Sequence, residues 1–87
     1  PEALRLADWP EPSAGEATAL VSVRAAGVNP VDALCRSGQA SWVTPPFVPG
    51  YDAAGVVVEP DAQGRYRSGD RVALALTDGC YADTVAA

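Results

Sequence analysis

Three short runs narrow most what this chain can fold into: ALVSVRAA at 19–26, AAGVVVEP at 53–60 and RVALAL at 71–76. In the first, Val21, Val23 and Ala25 alternate with Ser22 and Arg24, the period-2 pattern of a half-buried strand. The second is a nearly continuous β-branched run that stops at Pro60, and Gly55 inside it predicts a bulge or a close backbone approach. The third sets Val72, Leu74 and Leu76 on one side and alanines on the other. TDGC at 77–80 then turns the chain into YADTVAA, which the pattern predicts as a hairpin partner of 71–76. The connections are rich in breakers. WPEPSAGEA at 9–17 is a proline-rich link, and VTPPFVPG at 43–50 holds three prolines, which excludes regular helix. PDAQGRYRSGD at 60–70 carries two turn signals, Gly64 and Ser68-Gly69-Asp70.

One stretch, NPVDALCRSG at 29–38, reads as helix. Asn29 is a good N-cap and Pro30 suits the first helical position, where its missing N–H costs nothing. Asp32 approximates the third position of a capping box and favours the positive end of the helix dipole. Val31, Leu34 and Cys35 form a short apolar stripe, and Gly38 is a natural stop. Capping alone accounts for Asn29, Pro30 and Asp32.

Composition excludes several functions. At 87 residues the chain is one small domain, too small to bury a large cofactor between two domains. Pro1 and the strand-like end read as cuts from a longer chain. The net charge is −5 and arginine is the only basic residue type, with no basic face for nucleic acid. The cluster Arg65, Arg67 and Arg71 reads as a solvated turn. No apolar run reaches membrane-spanning length and no signal-peptide pattern is visible. Cys35 and Cys80 are too sparse for a secreted disulfide scaffold. They read as reduced apolar filler in a cytoplasmic protein.

The chemistry that is missing is as informative. The chain has no histidine, so neither a Ser-His-Asp nor a Cys-His system can form within it. Two cysteines without imidazole make no credible zinc site, and the metal assignment is none. Neither G-x-G-x-x-G nor G-x-x-x-x-G-K-[ST] occurs. Pattern alone thus yields a mainly β domain with one short helix and no self-sufficient catalytic machinery.

The ordered segments AAGVNPVDALCRSG, TPPFVPGYDAAGVV, GDRVAL and GCYADTVAA resemble the medium-chain dehydrogenase/reductases. The similarity is to the N-terminal GroES-like domain of the zinc-free quinone oxidoreductase, or zeta-crystallin-like, branch. It covers essentially the whole chain. The resemblance implies a partly open β-barrel with one or a few short helices over residues 1–87, truncated at both ends, as a fragment of a two-domain α/β enzyme. The Rossmann domain that holds the nicotinamide cofactor would lie outside this chain, with the active site in the cleft between the two domains.

The same resemblance singles out site residues. Zinc-dependent relatives place a zinc-ligating Cys where Asn29 stands, a relay hydroxyl where Val31 stands, a zinc-ligating His at Tyr51 and a Glu at Asp52. Asn29 and Tyr51 are therefore expected to look into a metal-free substrate cleft. The resemblance assigns Asn29 to the nicotinamide and substrate pocket, where its amide can donate to an oxygen that gains charge, and Tyr51 as a second candidate catalytic hydroxyl. An Asn29 side chain that caps through its oxygen would leave the NH₂ for that task. Two readings of Tyr51 stay open: lining the cleft, or packing beside Phe47 with its hydroxyl in water. Asp32 is assigned to the helix. Trp9 and Trp42 read as core or cleft-rim packing, with Trp42 placed to reach substrate. Many relatives carry a Tyr five positions after the Asn, and here that position is Leu34.

What the resemblance implies is the substrate-side domain of an NADPH-dependent, zinc-free oxidoreductase. It would reduce quinones or α,β-unsaturated carbonyl compounds by hydride transfer, and the intact enzyme would be a homodimer acting on a small molecule. The alternatives are an enoyl-reductase domain of a polyketide or fatty-acid synthase, and a non-catalytic GroES-like binding or structural module.

Overall fold

The computed structural model describes residues 4–15 and 18–87. Strand β1 is Leu20–Ala26, helix α1 Pro30–Arg36, β2 Ala53–Glu59, β3 Arg71–Leu74 and β4 Thr84–Ala86. The strands form one open antiparallel sheet in the order β3-β2-β1-β4. The described chain is mainly β with a single helix, as the period-2 runs require.

The inward positions of the alternating runs supply the core. Ala19, Val21, Val57 and Val85 are buried together, and Val23, Val72, Leu74 and Ala87 pack against them. Fully burying a valine contributes about 1.5–3 kcal/mol, so Val21 and Val57 tie the two central strands together. Their pairing is irregular twice, between Leu20 and Val21 and between Val23 and Ala25. Such bulges sharpen the twist of a strand pair. Gly55 pairs with Val23 beside the second irregularity. A Cβ at Gly55 would overlap the Ser22 carbonyl oxygen, so the close approach expected there is real.

The expected hairpin between 71–76 and 81–87 does not form. β4 pairs with β1, Leu20 opposite Ala86 and Ser22 opposite Thr84, while β3 pairs with β2. Alternation shows which residues share a face and says nothing about which strand lies alongside. Here the intervening backbone is held by the 49–51 segment instead. Thr77 N–H donates to the Tyr51 carbonyl, Gly79 and Cys80 N–H to that of Gly50, and Tyr81 N–H to that of Pro49. β3 also ends at Leu74, because Leu76 is left-handed (φ 54°) and exposed.

Helix α1 starts and stops where expected, but its buried face differs. Cys35 and Asp32 are buried, while Leu34 is 37% exposed. The turn at 61–70 also holds: Gly64 N–H donates to the Asp61 carbonyl and Asp70 N–H to that of Arg67. Arg65, Arg67 and Arg71 are exposed.

Candidate functional site

Three pieces of chain meet beside α1: the start of the helix, the segment 47–52 and the turn 77–81. Asp32 joins them. It is 7% exposed. Its Oδ2 accepts from Asn29 N–H at 2.9 Å and from the Tyr81 hydroxyl at 3.2 Å. Its Oδ1 accepts from Gly50 N–H at 3.2 Å. A carboxylate has room for several donors, so one side chain pins the helix start to both loops. Gly50 fits because its φ is +101° and a Cβ there would press on the Tyr81 ring at 2.7 Å. Only glycine adopts such a φ without cost.

Asn29 and Asp32 are arranged as a capping box, but the Asn29 side chain makes no capping hydrogen bond. Its Nδ2 donates instead to Asp52 Oδ1 at 3.2 Å. The capping-box arrangement is kept, but the NH₂ expected to be unengaged is steered by Asp52. Helix capping falls to Asp32, which takes the Asn29 N–H, and to the Asn29 carbonyl, which takes the Asp32 N–H at 3.0 Å.

Tyr51 directly precedes Asp52 in the chain. Its hydroxyl accepts from Trp42 Nε1–H at 2.8 Å and meets Cys35 Sγ at 3.5 Å. Trp9, Cys35, Trp42, Phe47 and Tyr51 line a groove of about 340 Å³, with Asp32 and Asp78 among its polar walls. Of the two candidate site residues, Tyr51 lines this groove and Asn29 does not. Asn29 meets it through its backbone N–H, held by the lining residue Asp32, while its side-chain amide bonds Asp52, which does not line the groove. Tyr51 and Phe47 line the same groove, and the Tyr51 hydroxyl is bonded to Trp42 rather than left to water. A second cavity of about 290 Å³ opens on the sheet, lined by core valines and by Tyr66 and Arg71. It gathers no comparable set of polar groups.

The electrostatics favour neutral hydroxyls. The Tyr51 phenol is raised above its ordinary value, first by its bond with Cys35 and then by burial and the charge of Asp78, against the opposing pull of the Trp42 N–H. Tyr81 is raised by burial, then by the charge and hydrogen bond of Asp32 and the charge of Asp52. Burial followed by the charges of Asp52, Asp32 and Asp78 raises the Cys80 thiol. Both cysteines are free and buried, as apolar filler should be, and Cys80 Sγ donates to the Thr77 carbonyl at 3.0 Å.

Tyr81 and the role of Asp52 are not visible from sequence pattern. The partner of Tyr81 lies 49 residues away, and no local spacing signals such a contact. Among the described residues, no three of His, Cys, Asp and Glu gather as a metal-holding group.

Fold and site together define a GroES-like module, a small bulged antiparallel sheet with a polar loop cluster beside one short helix. The model of the alcohol dehydrogenase GroES-like domain matches residues 15–86, and the chain belongs to that family. A quinone oxidoreductase from Lama guanicoe is 39% identical over 87 residues, covering 95% of this chain and 26% of that protein. The solved quinone oxidoreductase of Pseudomonas syringae superposes with a TM-score of 0.89 at 30% identity, over 98% of this chain and 27% of its own. The Escherichia coli quinone oxidoreductase, solved in complex with NADPH, gives a TM-score of 0.84 at 27% identity, over 92% and 25%. The chain therefore spans about a quarter of the length of these relatives.

Proposed function

We propose that this chain forms the substrate-side wall of an NADPH-dependent, zinc-free oxidoreductase that reduces quinones or α,β-unsaturated carbonyl compounds. The observation that carries the reading is the groove at Tyr51, apolar and aromatic with the Tyr51 hydroxyl and the Asp32 and Asp78 carboxylates among its walls, in a chain 39% identical to a quinone oxidoreductase. A flat, weakly polar substrate suits such walls, and pockets of this kind fix orientation with a few polar groups. Asn29 and the Tyr51 hydroxyl supply donors to an oxygen on which charge develops. Positions 29 and 51 carry side chains that seldom ligate zinc.

The fit to NADPH is confined to one end of the cofactor. Asn29 uses one amide N–H on Asp52 and has a second N–H and an oxygen to offer a carboxamide. No glycine-rich phosphate loop occurs in the 87 residues, so the pyrophosphate would rest on a domain outside this chain. When bound, the cofactor supplies a hydride. The part of the residues here is to orient the acceptor, hold a hydroxyl proton near its oxygen and shield it from water. In the same reading the enzyme is a cytoplasmic homodimer.

The test follows NADPH absorbance with panels of quinones and enones, using the full-length protein. Consumption with members of either panel is expected, and no consumption with both overturns the proposal.

A further inference from the structure

The neighbours of Tyr51 fix how its hydroxyl can act. An indole N–H is a donor only. Trp42 Nε1–H reaches the Tyr51 oxygen at 2.8 Å, so that oxygen is the acceptor of the pair and its own proton is directed elsewhere. Its other hydrogen-bond partner is Cys35 Sγ at 3.5 Å. Sulfur is a weak acceptor, readily outcompeted by a carbonyl oxygen entering the groove. Trp42 itself is 59% exposed and stands outside the core cluster, so it is not there as core filler. It lines the same groove as Phe47 and Tyr51.

We propose that Trp42 is a positioning residue that commits the Tyr51 hydroxyl to donating a hydrogen bond to a carbonyl oxygen of a planar, quinone-type substrate lying in the groove. The inference rests on the substrate class proposed above and names the donor and the group that orients it. Trp42 withdraws one acceptor site from the phenol oxygen and leaves the O–H for the ligand. Together with Phe47 it gives a flat ring an aromatic surface to lie on.

Two measurements on the full-length protein test this. Trp42→Phe keeps a ring and removes only the N–H, at an exposed position that tolerates the change. Tyr51→Phe removes the hydroxyl. Each is expected to lower kcat/KM for a quinone about fivefold, the worth of one hydrogen bond. The double variant should fall no further than Tyr51→Phe alone, because Trp42 acts through the hydroxyl. Multiplying losses would show a packing role and overturn the proposal. The second measurement needs no turnover: the phenol of Tyr51 is titrated by tyrosine-ring carbon NMR. Trp42→Phe should raise its pKa, since the indole N–H favours the phenolate, and an unchanged value overturns the proposal. If the unaltered protein oxidises no NADPH with quinones, the functional reading falls, and the titration still decides whether Trp42 orients the hydroxyl.

Discussion

Asp32 shows how much one buried side chain can organise. Three donors converge on it, from Asn29, Gly50 and Tyr81, and each would be orphaned without it. Asp32→Asn keeps the shape but replaces an acceptor oxygen with a nitrogen that cannot accept, so at least one buried donor loses its partner. The expected cost is about 1–3 kcal/mol in urea unfolding. Tyr81→Phe removes one donor and should cost about 1 kcal/mol. Combined, the two should cost less than their sum, since they share one hydrogen bond; strict additivity would show that the bond is not formed. Asn29 and Asp32 are legible in the sequence as a helix start because that role is local. The link from Asp32 to Gly50 and Tyr81 is not legible, since its partners lie 18 and 49 residues away and only the folded loops bring them together.

At the scale of elements, the loops hold the helix. Seven residues are too few for a stable isolated helix, so α1 depends on the backbone bonds that tie 77–81 to 49–51 and on Asp32 above them. The turn after β2 is locked differently. Asp61 is buried, and its carboxylate accepts from Arg65 N–H and Nε–H, both at 3.1 Å. Burial pushes the Asp61 carboxyl upward, but the bonds and charge of Arg65 outweigh it and hold it below its ordinary 3.8. A carboxyl depressed on folding adds stability above its unfolded value and loses it as pH falls through the folded one. Asp61→Asn should therefore unfold at lower urea than the unaltered protein at neutral pH. The gap should narrow as pH drops below about 4, and a gap constant with pH would show that the charge plays no part. The strands and this turn were readable because alternation and Gly64 and Gly69 mark them locally. The partner of β4 was not, because pairing is decided by backbone bonds in the loop before it.

For the molecule as a whole, the balance of charge matches the division of labour proposed. A net charge of −5 disfavours an anionic pyrophosphate, and the groove offers aromatic rings and carboxylates rather than cations. The 87-residue chain by itself should show no NADPH binding by calorimetry, and a micromolar association would overturn the placement of the phosphate site outside it. One feature of the sheet reaches beyond stability. Ala19 and Ala87 exchange backbone hydrogen bonds at 2.7 and 2.9 Å, and β4 rests on β1, so strands from opposite ends of the fold must meet before the sheet is complete. Closing so long a loop costs chain entropy before any contact repays it, and domains dominated by such distant pairings fold slowly for their size. The turn 77–81 lies just before β4 and carries Tyr81, so the groove belongs among the last parts of the molecule to take shape.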